Sequence, residues 1–311
     1  MEPLAPGMRR IGKVMRRLPG ASVSKATPEV IARNSEADAP EVMASILMGN
    51  RPKGVATEDR KAGAIPVRVY TPPGVTPARP LIVYFHGGGF VFGSLRNGDW
   101  ICGTVAKELD AIVVSVDYRL APKFPFPAAV DDCFAGLAWA VDHAEELGAD
   151  KGRLGVMGES AGGNLAAVVA LMARDAGAPA IRHQALLYPV TGARGTESRR
   201  VNADAFILSA ADMKRFDELY AGDQDDWRVS PLKAASFAGL PPALIVVAGH
   251  DPLHDDGVLY AEALRAAGVH AQLIDYAAMP HGFLNFPRFA RDAKPAIGAV
   301  IATQRAALVR R

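Results

Sequence analysis

The sequence predicts an α/β fold in which a mostly parallel, doubly wound sheet is flanked by helices on both faces. Three observations carry that expectation. From residue 64 onward, short β-rich runs alternate with amphipathic helical stretches. Several of the runs are nearly unbroken Val, Ile and Leu, as in strands covered on both sides. With 311 residues, half of them hydrophobic, the chain is also long enough to bury a large core.

In chain order the strand candidates are AIPVRVYT (64–71), PLIVYFH (80–86), AIVVSVDY (111–118), RLGVMG (153–158), RHQALLYP (182–189), PALIVVAG (242–249) and VHAQLIDY (269–276). Between them, helical periodicity marks 98–109, 128–147, 160–175, 254–267 and 288–308, with Gly268 placed to cap the fourth of these. Two segments break the rhythm. Residues 1 to about 50 precede the first strand and read as helical. Residues 190–235 carry NADAFILSAADMKRFDELYAGDQDDW, too long for a simple connection. Its Phe206, Ile207, Leu208, Met213, Phe216, Leu219 and Tyr220 argue for order rather than disorder.

Bulk properties exclude several function classes. The net charge is +2, with acidic and basic residues interspersed and no basic stripe interleaved with aromatics, which speaks against a nucleic-acid surface. No apolar run reaches the roughly 20 residues that a bilayer span needs. The basic start, MEPLAPGMRRIGKVMRRLPG, has no continuous apolar core of the kind a secretory leader carries, so the cytoplasm is the expected location. Met8, Ile11, Met15 and Leu18 recur there at helical spacing, which fits a helix packed on its own protein better than one touching anionic membrane. Cys102 and Cys133 lack the spacing of a disulfide framework or zinc site and are expected to be reduced, packed thiols.

The chemistry centres on GESAGGN, residues 158–164, between the strand RLGVM and the helix LAAVVALMAR. In G-x-S-x-G the serine sits on a sharp strand-to-helix turn that flanking glycines permit, and the helix N-terminus aims backbone N–H groups at an anion beside it. Alone the pentapeptide is weak, since a serine opening a helix also serves as a cap. HGGGF, residues 86–90, adds to it. Three glycines after a strand leave backbone N–H groups able to approach a substrate oxygen, so Gly88 and Gly89, with the N–H of Ala161, are candidate oxyanion-hole donors. No lysine follows as in a phosphate-binding loop, and GGGFVFG lacks dinucleotide-binding spacing.

A nucleophilic serine needs a base, and the base an orienting acid. After PALIVVAG comes HDPLHDDG, and after VHAQLIDY comes MPHGF, which places Ser160, Asp251 and His281 in the order nucleophile, acid, base, each beyond a strand's carboxyl end. His86 is expected to orient the glycine loop, and His143, His183 and His270 to be ordinary surface or core residues. His250, Asp251, His254, Asp255 and Asp256 raise a metal-site alternative. It lacks a third closing ligand, and acidic residues in a helix's first turn answer the helix dipole or bind loops. No cofactor and no metal is expected.

HGGGF, DYRLAPKFPFPAAVDD (117–132), GESAGG, DPLHDDG and HGF, in this order over nearly the whole chain, resemble the bacterial hormone-sensitive-lipase-like carboxylesterases (family IV) of the α/β-hydrolase superfamily. The resemblance implies an α/β-hydrolase core over 51–189 and 236–311, with a helical cap made from 1–50 and the 190–235 insertion. It implies hydrolysis of short to medium acyl-chain esters, with Ser160, Asp251 and His281 as triad and Gly88, Gly89 and Ala161 around the oxyanion. Glu159 stands where the family more often has Asp, and Lys123 where Glu is more usual. In DYRLAPKFPFP, Pro122, Pro125 and Pro127 are expected to stiffen a loop, and Arg119 to pair with a carboxylate.

The expected reaction is two-step acyl transfer through an acyl-enzyme, with activity rising as the imidazole loses its proton across roughly pH 6 to 7.5. Phe90, Phe92, Phe206, Leu208, Phe216 and Tyr220 are candidates for lining the substrate pocket. The implied partner is a small acyl ester, without nucleic acid or stable membrane insertion, and a homodimer is left open. Amidase, lactonase or deacetylase chemistry on the same triad is the alternative. A non-catalytic binder is the rival from another class, because a plant hormone receptor of this fold has lost its histidine, which here is kept as His281.

Overall fold

Among the described residues, eight strands pair into one sheet: β1 (Ala56–Ala62), β2 (Ile65–Thr71), β3 (Arg79–Phe85), β4 (Ile112–Val116), β5 (Ala149–Glu159), β6 (His183–Leu187), β7 (Ala243–His250) and β8 (Ala271–Pro280). Their spatial order is β1-β2-β4-β3-β5-β6-β7-β8. β2 runs antiparallel to both β1 and β4. From β4 onward every pairing is parallel. The computed structural model describes residues 2–15, 22–36 and 47–309.

Strand alternation builds two cores from one sheet. In β3 all seven residues are buried. Leu81, Val83 and Phe85 join one apolar cluster, Ile82 and Tyr84 the other, as a period of two requires. The first face is covered by α4 (Ala128–Asp142), α5 (Ala161–Ala176) and α8 (His254–Ala266), through Val130, Leu137, Leu165, Val169, Tyr260 and Leu264. The second is covered by α3 (Asp99–Leu109) and α9 (Ala293–Leu308), through Ile101, Val105, Ile297 and Val300. Helices cover both faces of this largely parallel sheet, as the sequence predicts.

The differences from the sequence expectation have local causes. β1 is absent from that reading because ATEDRKA is charged on both faces. It is an edge strand with one neighbour, where charge discourages pairing with other chains. α4 ends at Asp142 rather than 147, where the ring Nδ1 of His143 bonds the Trp139 carbonyl at 2.8 Å and the chain turns. α9 begins at Ala293 rather than 288, because Phe283–Asn285 form a short 3-10 turn and the following residues bend. Gly268, in left-handed conformation at φ +77°, follows the end of α8 as expected.

The two segments outside the strand rhythm meet each other. α1 (Pro6–Met15) buries Met8 and Ile11 against its own protein, and the Ala5 amide bonds the Ala278 carbonyl of β8 at 3.0 Å. Leu18 and the Met15 side chain lie outside the described residues. A second N-terminal helix, α2, spans Pro28–Glu36. The insertion holds α6 (Glu197–Val201) and α7 (Ala210–Tyr220). At the start of α7, Ser209 and Asp212 form a reciprocal capping box. The same Asp212 accepts from Ser22 Oγ at 2.6 Å and from the Ser24 amide at 3.0 Å. One carboxylate thereby caps a helix and ties the N-terminal segment to the insertion. In the proline-rich stretch, the Arg119 backbone N–H and guanidinium both donate to Asp132, with Nη2 to Oδ1 at 2.7 Å.

At the other end of the sheet, His254 joins α8 to β8. Its ring lies between Asp275, 3.3 Å from Nε2, and Asp255, 2.9 Å from Nδ1. Those bonds, Asp275 first, raise its pKa to about 9 against the opposing effect of burial. The folded state holds the proton more tightly than the unfolded chain, so the contribution to stability is complete below about 6.5 and lost as pH rises through about 9. His254→Gln should therefore lower the urea midpoint at pH 7 and leave it nearly unchanged at pH 10, as measured by paired denaturation curves at the two pH values.

Candidate active site

The register of the sheet sets the carboxyl ends of β3, β5, β6, β7 and β8 side by side, and the next residues supply the site. Phe85 lies opposite Gly158, and Glu159 opposite Leu187. Ser160 is the single residue between β5 and α5, with φ +54° and ψ −117°. For a residue with a Cβ that conformation is strained by roughly 1–3 kcal/mol, and it lifts the hydroxyl above the turn. Glycines around it are obligatory on steric grounds. A Cβ on Gly158 would lie 2.1 Å from the Gly162 carbonyl oxygen, and one on Gly162 would lie 2.0 Å from that of Phe85.

Ser160, His281 and Asp251 form one hydrogen-bonded chain. Ser160 Oγ lies 2.8 Å from His281 Nε2, and His281 Nδ1 lies 2.7 Å from Asp251 Oδ2. A carboxylate only accepts, so Nδ1 carries the proton and Nε2 presents its lone pair to the serine. The other oxygen of Asp251 accepts from the Leu253 amide at 2.8 Å, and the residue is fully buried. Asn202, from the insertion, donates to the backbone carbonyls of Gly249 and Asp251. β8 delivers the chain directly to His281, which is 6 % exposed.

Gly88 and Gly89 adopt φ of +120° and +64°. The Gly88 carbonyl turns inward to accept from the Val91 and Phe92 amides, and among the described residues no backbone carbonyl accepts from the Gly88 or Gly89 amide. Ala161 is the first residue of α5, where helical amides have no partner within the helix. All three residues line the cavity that contains Ser160 and His281. Beneath the loop His86 is fully buried. It stacks on Tyr118 with ring centroids 4.2 Å apart, and its Nδ1 bonds the Gly87 carbonyl at 2.8 Å. Burial lowers its pKa to about 4, so it is a neutral strut, in keeping with the orienting role expected of it.

The cavity has a volume of about 290 Å³. Phe90, Phe92, Leu208, Phe216 and Tyr220 line it. Phe90 stacks flat on Tyr220, with centroids 3.9 Å apart, and Phe92 meets Phe216 edge-on. Phe206 is a correction: it faces away, packing against α1 where a Cβ on Gly12 would lie 2.9 Å from its ring. α7 begins only at Ala210, so 206–208 is bent chain, and neighbouring residues there do not share a helical face. Ile207 lines the cavity instead, together with Met48, Met213, Val229 and Phe286, none of which the sequence analysis named for the pocket.

The run HDPLHDDG divides its groups among separate tasks. Asp251 serves His281, His254 joins α8 to β8, and Asp255 accepts from the Ser198 amide at 2.9 Å. Asp256 is fully buried. It accepts from the amides of Thr191, Gly192 and Ala193 and from Arg199, holding the turn that edges the cavity. Burial pushes its pKa up to about 6 despite that guanidinium. Glu159, the strand residue before Ser160, is 1 % exposed. It accepts from Tyr84 Oη at 2.9 Å, Tyr188 Oη at 2.7 Å and Asn285 Nδ2 at 2.7 Å.

A sharp turn presenting serine at the carboxyl edge of a parallel sheet, with acid and base on later loops, defines the class of α/β-hydrolases. Residues 82–285 match the family model described as alpha/beta hydrolase fold. The chain is 46 % identical to Esterase LipI of Mycobacterium tuberculosis over 235 residues, 73 % of each chain. It is 45 % identical to Carboxylesterase NlhH of the same organism over 251 residues, 78 % of this chain and 79 % of that one. Among solved structures, the hyperthermophilic esterase of Pyrobaculum calidifontis superposes with a TM-score of 0.84 at 36 % identity, covering 98 % of this chain and 99 % of that one. The chain belongs to the hormone-sensitive-lipase-like carboxylesterases of the α/β-hydrolase fold.

The geometry of His86 carries a stability prediction. Replacing it with Phe keeps a ring against Tyr118 but removes the donor to the Gly87 carbonyl, at a cost of about 1–3 kcal/mol. Urea unfolding of the variant should show that loss, with an unchanged m-value.

Proposed function

We propose that the protein is a serine carboxylesterase that hydrolyses short to medium acyl-chain esters through an acyl-enzyme. The observation that carries this reading is the unbroken hydrogen-bonded chain from Ser160 through His281 to Asp251, beside the Gly88, Gly89 and Ala161 amides. His281 Nε2 takes the Ser160 proton as the oxygen attacks the ester carbonyl. The three amides receive the developing oxyanion, and Asp251 stabilises the imidazolium. The imidazolium then protonates the departing alcohol. Water, deprotonated by the same nitrogen, attacks the acyl-enzyme, and the imidazolium returns that proton to Ser160 Oγ as the acid departs. Every proton is accounted for by one chain's side chains and water, so the scheme calls on no cofactor or metal and works alike in a monomer or a homodimer.

The substrate range rests on the modest cavity and its aromatic wall, which suit a small apolar acyl or alcohol group. A relative from Pseudomonas putida, 38 % identical over 78 % of each chain, is named Ethyl acetate hydrolase and supports the short end of that range. The division into a core, at 51–189 and 236–311, and a cap, from 1–50 and 190–235, belongs to the same reading. Its support is the Asp212 bridge between the two cap segments and the insertion's contribution to the cavity wall. A cytoplasmic location is supported by Cys102 and Cys133, both buried and unpaired.

Ser160→Ala should lower kcat for a p-nitrophenyl ester by at least about 10⁴-fold and abolish labelling by a fluorophosphonate probe; near-normal turnover would reject the assignment. Across p-nitrophenyl esters of graded chain length, with matching amides and lactones, kcat/KM should peak among the short and medium acyl esters. Equal turnover of a triolein emulsion would contradict the proposed range, and a preference for amides or lactones would favour the alternative chemistries.

A further inference from the structure

We propose that Glu159 is a positioning residue that acts on His281 through Tyr188, as a second buried negative charge beside Asp251 favouring the imidazolium formed when Ser160 gives up its proton. The inference rests on the esterase reading and deepens it. Its starting point is a carboxylate almost fully buried without a counter-ion. Among the described residues, no Lys, Arg or His nitrogen lies within ion-pair distance of it. Its partners are all neutral donors: Tyr84, Tyr188 and Asn285. Three donors converging on two oxygens is the bonding of an ionised carboxylate, which has no proton to place.

The groups facing it from neighbouring elements leave that charge uncompensated. Burial pushes the hydroxyl pKa values of Tyr84 on β3, Tyr118 after β4 and Tyr188 after β6 well up, and likewise the Cys102 thiol on α3. All four stay protonated and neutral. His86, at the end of β3, is held neutral by burial as well. A buried carboxylate without a cation is expensive, and packing alone would be served by glutamine. A protein gains from such a charge where a positive charge appears transiently nearby, as on His281 during both acyl-transfer steps.

Tyr188 connects the two. Its hydroxyl donates to Glu159, while its ring stands edge-on to the His281 imidazole, with centroids 5.1 Å apart and planes at 66°. After burial, the charge of Glu159 and its bond to the hydroxyl hold the Tyr188 proton, and Asp251 adds to them, so the ring lies in the field of both carboxylates. Tyr188 also keeps a left-handed backbone, φ +37°, with its amide on the Val246 carbonyl. The other tether, Asn285, lies four residues after His281 and fixes the turn that follows the base. Glu159 thus holds the ring packed on the imidazole and the segment carrying it.

The test is the pH profile of kcat/KM on a p-nitrophenyl ester. Glu159→Gln keeps shape but removes the charge. Its profile should shift down by about half to one pH unit, with a plateau about 10-fold lower. Glu159→Asp keeps the charge at shorter reach, and should titrate close to the wild type while recovering only part of the rate. A purely structural residue would slow both variants without moving either profile. An active Glu159→Gln enzyme that titrates at the wild-type pH overturns the proposal. If Glu159→Gln does not fold, Tyr188→Phe decides: it keeps the ring but cuts the bond through which Glu159 acts, so its profile should also shift down, and an active variant that titrates at the wild-type pH overturns the proposal. Absence of hydrolysis by the wild type would count against the esterase reading itself, whereas an unshifted profile counts against the role of Glu159 alone.

Discussion

The start of α5 lies so close to the ends of β3 and β5 that backbone touches backbone. No side chain fits at 158 or 162, because a Cβ at either would meet a carbonyl oxygen near 2 Å. That contact is the constraint on which the rest depends. It brings the helix N-terminus under Ser160 and forces that residue to positive φ, with Ala161 opening the helix on the cavity that both line. The strain in that turn is sustained by the core on both sides of β5, where Leu154, Val156 and Met157 are fully buried. A loosely packed sheet could not hold a serine in that conformation.

Around Ser160, several buried polar groups have a defined partner and purpose. His86 is a neutral strut under the glycine loop, Asp256 a clamp on the 191–193 turn, and Asp212 a tie between two distant segments. Each fixes a loop rather than adding bulk to the core. The sheet supplies rigidity through apolar burial, and these bonds pass it on to the irregular chain around it.

Much of this was legible in the sequence. The parallel strands announced themselves because strands covered on both faces are nearly unbroken apolar runs, as in β3 and β4. Ser160, Asp251 and His281 could be named because each follows a strand of the parallel part of the sheet, and those strands end along one edge. β1 was hidden because an edge strand need not be apolar. The fate of Phe206 depended on whether its chain was helical or bent, which the surrounding residues do not decide. The partners of Glu159 were out of reach for another reason: Tyr84, Tyr188 and Asn285 lie 75, 29 and 126 positions away, and no periodic pattern links them.

Both cysteines of the chain, Cys102 and Cys133, are sealed inside the helices that sandwich the sheet. Burial also drives both thiols away from the reactive thiolate form. A maleimide applied to the folded protein would therefore find no native target. One cysteine introduced at a chosen surface position would give a unique point for attaching a dye or a solid support, with the native pair left in place.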